Sequence, residues 1–294
     1  CKTAINYYGM EVIGIHSGFQ GLLTKDVESI TDKSLSGLLN LGGTMLGTSR
    51  EKPFKKGGVV SDVDKPSLIL QNIHEIGLDC VVCIGGNGTQ KTAAKFAAMG
   101  VNIVSVPKTI DNDLMGTDHT PGFGSAAKYV AASILEVVHD SLIYQLQSVT
   151  IIEIMGRNAG WLTAAAALAR NEYNVAPDLI YLPEVVFDKD KFLADIHEVM
   201  KRKRCVVIAV SEGIRDQNGH FLDDDSKYAK KDAFGHVLHS GTGKLLESLV
   251  FKEFGCKVRS IELNVLQRCA MHIASKTDLN ESFVIGSKAI DKAL

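Results

Sequence analysis

Short runs of β-branched and apolar residues recur along this chain, at 11–16, 79–84, 101–106, 149–155, 178–182, 205–210 and 258–263, with helical patterns between most of them. Strands that alternate with helices pair side by side as βαβ units, so the rhythm predicts an α/β fold built on mainly parallel sheets. In PSLILQNIHEIG, Leu70, Ile73 and Ile76 fall at helical spacing, Pro66 suits a first turn and Gly77 a C-terminal cap. TQKTAAKFAAMG closes on Gly100 in the same way. Most runs are followed by Gly, Pro or a polar cluster, at the strand ends where open α/β sheets bind ligands. Chemistry is therefore sought just past the strands. With 294 residues, 45% of them hydrophobic, the chain is long enough for two such lobes.

The formal net charge is −2, and Lys and Arg are dispersed apart from KRKR at 201–204, which reads as the end of a solvated helix. Neither feature suits a nucleic-acid surface. No run approaches the roughly 18 apolar residues that cross a bilayer, and no secretory signal is evident. A cytoplasmic location is expected. Of six cysteines, Cys80 and Cys83 form a CxxC inside the strand-like DCVVCIGG and Cys205 opens CVVIAV, so buried free thiols are expected rather than disulfides or a metal site. Because Cys1 leads directly into KTAINYYG, already helical in character, the sequence is read as a fragment of a longer protein.

Residues 215–239 break the rhythm with a polar, mixed-charge excursion from the second lobe. Asp223, Asp224 and Asp225 within it read as a solvated turn, with divalent-ion binding as the sharper alternative. GTGK at 241–244 lacks the GxxxxGK[ST] spacing, since Leu238 stands where the first glycine belongs and Leu245 follows the lysine. It reads as a tight turn opening a helix.

Three segments carry the chemistry. GGNGT at 85–89 lies between a buried strand and a helix, where side-chain-free glycines let backbone N–H groups and the helix N-terminus approach a polyphosphate. Similar loops occur in nicotinamide-dinucleotide and lipid kinases, and some serve packing alone. PKTIDND at 107–113 crowds a lysine, a hydroxyl and two carboxylates onto one strand end. An alcohol nucleophile needs a carboxylate to take its proton, and a transferring phosphoryl group needs a metal ion and cations to absorb charge, which Asp111, Asp113 and Lys108 supply. A helix-capping turn is the plain alternative. In EIMGRNAG at 153–160, the arginine after a glycine turn suits a phosphate or developing negative charge, and Asn158 or Gly160 starts the alanine-rich helix beyond.

Together these motifs resemble the phosphofructokinase family, whose members carry GGDGS or GGDGT, then PGTIDND or PKTIDND, then MGR, in this order and near these spacings. Further matches are GMEVIGIHSGFQGLL from Gly9, Gly43, LGTSR ending at Arg50, SEG at 211–213 and VRSIELNVLQR ending at Arg268, so the resemblance covers essentially the whole chain. A nicotinamide-dinucleotide kinase would share the glycine loop alone. The resemblance implies two Rossmann-like lobes with mainly parallel sheets and the active site in the cleft between them. Residues 1–122 plus 267–294 would form the donor-binding lobe, missing its first strand, and 123–266 the lobe that binds fructose 6-phosphate.

Carried onto this sequence, the resemblance makes Asp111 the general base for the sugar 1-hydroxyl, with Thr109 positioning and Arg157 stabilising the transferring group. Substrate positions would be Thr109, Ile110, Asp111, Met155, Gly156, Arg157, Glu212, Arg259 and Arg268, with Arg259 reaching the 6-phosphate of a neighbouring subunit in a homodimer or homotetramer. Phe19, Arg50, Gly86, Asn87, Gly88, Thr89 and Lys108 would line the donor, and Asp113 with Asn87 the Mg²⁺.

Asn87 replaces the usual acidic residue, Ser148 a second cross-subunit arginine, and Val265 a histidine of the substrate loop. The family's first strand and GGDxxG loop would precede Cys1, and its last helix and strand would follow Leu294. Gly88 leaves room for ATP, whereas Lys108 is frequent among pyrophosphate users. ATP is the expected donor, pyrophosphate the alternative, and a non-catalytic regulatory subunit the third reading.

Overall fold

The computed structural model describes residues 1–55, 64–143, 145–222, 230–231, 237–238 and 241–294. In chain order the elements are α1 (Lys2–Tyr8), β1 (Val12–Ile15), α2 (Phe19–Thr24), β2 (Val27–Ile30), α3 (Lys65–Ile76), β3 (Val81–Gly85), α4 (Asn87–Ala98), β4 (Ile103–Pro107) and α5 (Phe123–Leu142). There follow β5 (Ser148–Ile154), α6 (Trp161–Ala165), β6 (Leu179–Tyr181), α7 (Lys189–Met200), β7 (Cys205–Ser211), β8 (Lys230–Lys231), β9 (Val237–Leu238), α8 (Thr242–Phe254), β10 (Lys257–Glu262) and α9 (Lys276–Ala293). The three-aspartate cluster at 223–225 lies outside the described residues.

The chain divides into two compact units, one of Cys1–Thr109, Leu114–Pro121 and Lys276–Leu294, the other of Ile110–Asp113 and Gly122–Ser275. The second unit holds a four-stranded parallel sheet in the order β10-β5-β7-β6. Every residue of β5 is buried, as expected of a central strand covered on both faces. Side chains alternate across a strand, and so do the cores. Ile152 and Ile154 pack with Val130 and Ile134 of α5 and Leu162 of α6, while Val149 and Ile151 pack with Phe192 and Ile196 of α7 and Leu246 and Val250 of α8. The chain passes from β5 over β7 to β6, and from β7 back over β5 to β10, so the connections leaving the adjacent strands β5 and β7 run in opposite directions, the topology that favours ligand binding at their C-terminal ends.

In the first unit β3 and β4 pair in parallel, and α4 connects them. Leu22, Ile69 and Phe96, from α2, α3 and α4, are its buried centre. Gly77 caps α3 at φ 81, in the conformation its sequence context calls for. Two expectations are corrected. The run at 11–16 does not enter a parallel sheet: β1 pairs antiparallel with β2, a strand whose VESI sequence carries too few apolar residues to announce itself. All six cysteines are free, but Cys80, Cys83 and Cys205 are half-buried rather than fully buried. For the first two the reason is that among the described residues β3 pairs on one side alone, with Ile84 left 66% exposed.

Candidate active site

In the second unit the segments after β5, β7 and β10 are knitted together by backbone groups that the sheet no longer satisfies. The N–H of Met155 donates to Gln267 Oε1 at 3.3 Å, and the N–H of Gly156 donates to Glu212 Oε1, also at 3.3 Å. Ser211 Oγ, fully buried, donates to the Gly156 carbonyl at 2.9 Å and accepts the Gly213 N–H at 3.0 Å. Two glycines make this crossing feasible. Gly156 sits at φ 125, a backbone conformation open mainly to glycine, and a Cβ on Gly213 would lie 2.1 Å from the Arg157 carbonyl oxygen. Met155, Gly156, Arg157 and Glu212 are thereby gathered at one strand end, and Gln267 brings in the turn that bears Arg268. Among the described residues the exposed guanidinium groups of Arg157 and Arg268 make no side-chain hydrogen bond or ion pair, which leaves both cations available to an anionic ligand.

Glu153, one residue before the end of β5, is a buried carboxylate. Burial pushes its pKa up to about 7; the neighbouring charges of Glu262 and Glu212 add to the rise, and the backbone N–H groups of Gly243 and Gly241 oppose it.

In the first unit, Gly86 caps α4 in an extended conformation, so the helix starts at Asn87 and its first N–H groups have no intrahelical partner. Gln90 Nε2 fixes the preceding strand ends by donating to the carbonyls of Gly85 (2.9 Å) and Val106 (3.1 Å). The Lys108 N–H donates to Gly85 O at 3.0 Å, which carries the lysine's backbone alongside the glycine loop, and its ammonium is exposed without a side-chain partner among the described residues. A Cβ on Gly88 would meet nothing within 4 Å. The Phe19 and Arg50 segments are tied to each other, Ser17 N–H donating to Leu46 O and Ser49 Oγ to Ser17 O, both at 2.7 Å. Phe19 itself stacks on Phe96 in the core, ring centroids 5.7 Å apart.

The PKTIDND segment divides between the units. The Thr109 carbonyl accepts the buried Thr120 hydroxyl at 2.7 Å, while Ile110 packs against the α5-side core of the second unit. Asn112, buried at φ 55, turns the chain between Asp111 and Asp113, a conformation asparagine tolerates better than most residues. Arg259 stands apart from this gathering. It lies on β10 opposite Thr150, three residues short of the strand end, and pairs with Asp140 of α5 at 3.1 Å.

A family model described as Phosphofructokinase matches residues 1–291. The chain belongs to the phosphofructokinase family. It is 56% identical over 252 residues to ATP-dependent 6-phosphofructokinase 3 of Bacteroides thetaiotaomicron, covering 82% of this chain and 73% of that protein. It is 39% identical to the pyrophosphate–fructose 6-phosphate 1-phosphotransferase of Rhodospirillum rubrum, covering 96% and 71%. Among solved structures, a pyrophosphate-dependent phosphofructokinase from Nitrosospira multiformis superposes with a TM-score of 0.83 at 30% identity, covering 99% of this chain and 70% of that one.

Within this phosphofructokinase frame the sequence reading missed Gln267, Ser211 and Glu153 as organisers of these strand ends. Each was in view: Gln267 precedes Arg268 in VLQR, Ser211 opens SEG, and Glu153 is the lone acid in the apolar run TIIEIM.

Proposed function

We propose that this chain transfers the terminal phosphoryl group of ATP to the 1-hydroxyl of fructose 6-phosphate, giving fructose 1,6-bisphosphate. The observation that carries the reading is the gathering of Met155, Gly156, Arg157 and Glu212 where β5 and β7 end, with an arginine guanidinium that has no side-chain partner among the described residues. A sugar phosphate offers what such a site takes: hydroxyls for Glu212 and the backbone, and an anion for arginine. Asp111 accepts the proton of the 1-hydroxyl as it attacks phosphorus, Thr109 orients the group in transfer, and Arg157 and Lys108 absorb the charge that develops. Arg268 binds the sugar phosphate from the turn after β10.

Mg²⁺ binds through one or two carboxylates completed by substrate phosphates and water rather than through an all-protein cage. Among the described residues no group of three or more His, Cys, Asp or Glu could hold a metal by itself, and Asp113 and the Asn87 amide oxygen are each hard oxygen donors of the kind the sparser arrangement takes. Those two residues would hold the ion, which when bound neutralises phosphate charge. The α4 N-terminus, with Gly86, Gly88 and Thr89, receives the donor phosphates, and Phe19 and Arg50 flank them.

Arg259 reaches the phosphate of a neighbouring copy in a homodimer or homotetramer, a role suited to an exposed residue three positions short of its own strand end. Six free thiols and the absence, among the described residues, of any helix long and apolar enough to cross a membrane accord with a cytoplasmic enzyme.

Pyrophosphate is the second reading, favoured by the Lys108 ammonium, which has no side-chain partner among the described residues, and by relatives such as that of Rhodospirillum rubrum. An aldolase-coupled assay of the complete natural chain with fructose 6-phosphate and each donor tests the activity; no turnover with either would remove it.

A further inference from the structure

We propose that Glu153 is a positioning residue for the sugar-phosphate site, its carboxylate anchoring the start of α8 so that the turn bearing Glu212 is held against Gly156. The inference rests on the reading of that site as the one for fructose 6-phosphate.

A carboxylate buried near the C-terminal end of β5 is costly unless its oxygens are satisfied. Among the described residues no cation pairs with Glu153. Its Oε2 accepts the N–H of Gly243 at 2.7 Å, and the N–H of Gly241 also bears on it, so the charge is held by the first turn of a 13-residue helix whose dipole favours an anion there. The fit is close. A Cβ on Gly243 would stand 3.1 Å from Glu153 Oε2 and 3.4 Å from Ser260 Cβ, so glycine lets α8 come down onto β5 and β10. Between these contacts, fully buried Thr242 donates its hydroxyl to the Glu212 carbonyl at 3.4 Å. Glu212 in turn accepts the Gly156 N–H. A continuous path therefore runs from Glu153, through two residues of the α8 start, to a side chain of the sugar site. The chemistry of phosphoryl transfer leaves Glu153 nothing to do. A residue kept for packing alone would be better served by an apolar side chain of the same size.

The test is kinetic, on the complete natural enzyme, with E153Q and T242V alone and together. E153Q keeps an acceptor oxygen for Gly243 but loses the charge that the helix start favours. The expected result is a KM for fructose 6-phosphate raised about tenfold, with kcat and the donor KM changed by less than about threefold, the signature of lost ground-state binding. T242V should shift the same constant less, and the double variant should be no worse than E153Q, because both act on one path. Equal rises in both KM values alongside a lowered Tm would make Glu153 merely structural and overturn the proposal, as would an unchanged sugar KM in folded E153Q. If E153Q does not fold, T242V decides, and an unaltered sugar KM there overturns it. A wild type inert toward fructose 6-phosphate removes the functional reading and this inference with it, whereas an active wild type with an indifferent E153Q removes this inference alone.

Discussion

Gln267 Oε1 accepts the Met155 N–H at 3.3 Å, a bond across 112 residues that joins the turn after β10 to the end of β5. Gln267 is buried, and its Nε2 also donates to Asn264 O within its own turn at 3.2 Å. Removing the amide in Gln267→Ala leaves the Met155 N–H without its partner, a loss of about 1–3 kcal/mol. Stability by urea unfolding should fall by that amount, and the KM for fructose 6-phosphate should rise because Arg268 shares the loosened turn.

A second prediction contrasts two glycines. Gly213→Ala would place a methyl 2.1 Å from the Arg157 carbonyl oxygen, backbone that cannot step aside, whereas the same change at Gly88 meets open space. Overpacking of this kind costs about 1–3 kcal/mol or more. Thermal unfolding should show a clear drop in Tm for Gly213→Ala and little change for Gly88→Ala.

The third concerns pH. Glu153 has its pKa raised from 4.5 to about 7 in the folded chain, so between these values the native state holds a proton that the unfolded state has released. The stabilisation is therefore fully present below about pH 4.5 and is lost as pH rises through about 7, a change of about 3 kcal/mol. The wild type should show this downward slope relative to E153Q in denaturation series from pH 5 to 8. Parallel stability curves for the two proteins would contradict the shifted carboxyl.

How much of this the sequence carried depends on the range of the interaction. The β5 and β7 runs were legible because central parallel strands are apolar on both faces, and the α3 cap because a glycine just past a helical pattern has a local cause. β2 was not, since VESI lacks the apolar content of a buried strand. At the site, GGNGT, PKTIDND and MGR stood out through their own composition. Gln267 and Glu153 did not, because their roles are contacts with Met155 and with Gly243, 112 and 90 residues away. Periodicity does not report pairings at such distance.

The fourth prediction addresses the chemistry. Asp111→Asn keeps the side-chain shape and removes the proposed base, so turnover should fall by roughly 10²- to 10⁴-fold while the KM for fructose 6-phosphate stays close to that of the wild type. A purified variant retaining about a tenth of wild-type turnover would assign the base elsewhere.

The donor bears on the loop and the lysine together. Gly88 lies on α4 with no atom within 4 Å of its absent side chain, so Gly88→Asp should fold normally while its carboxylate fills and repels the region that receives the α-phosphate of ATP. ATP turnover should collapse in that variant, with pyrophosphate turnover affected less. The most direct measurement is the ratio of kcat/KM for ATP and for pyrophosphate, with fructose 6-phosphate as acceptor, in the complete wild-type chain. Fructose 1,6-bisphosphate should form, with ATP preferred by about tenfold or more. A preference of the same size for pyrophosphate would contradict the assignment of the donor, and no product with either would contradict the function itself.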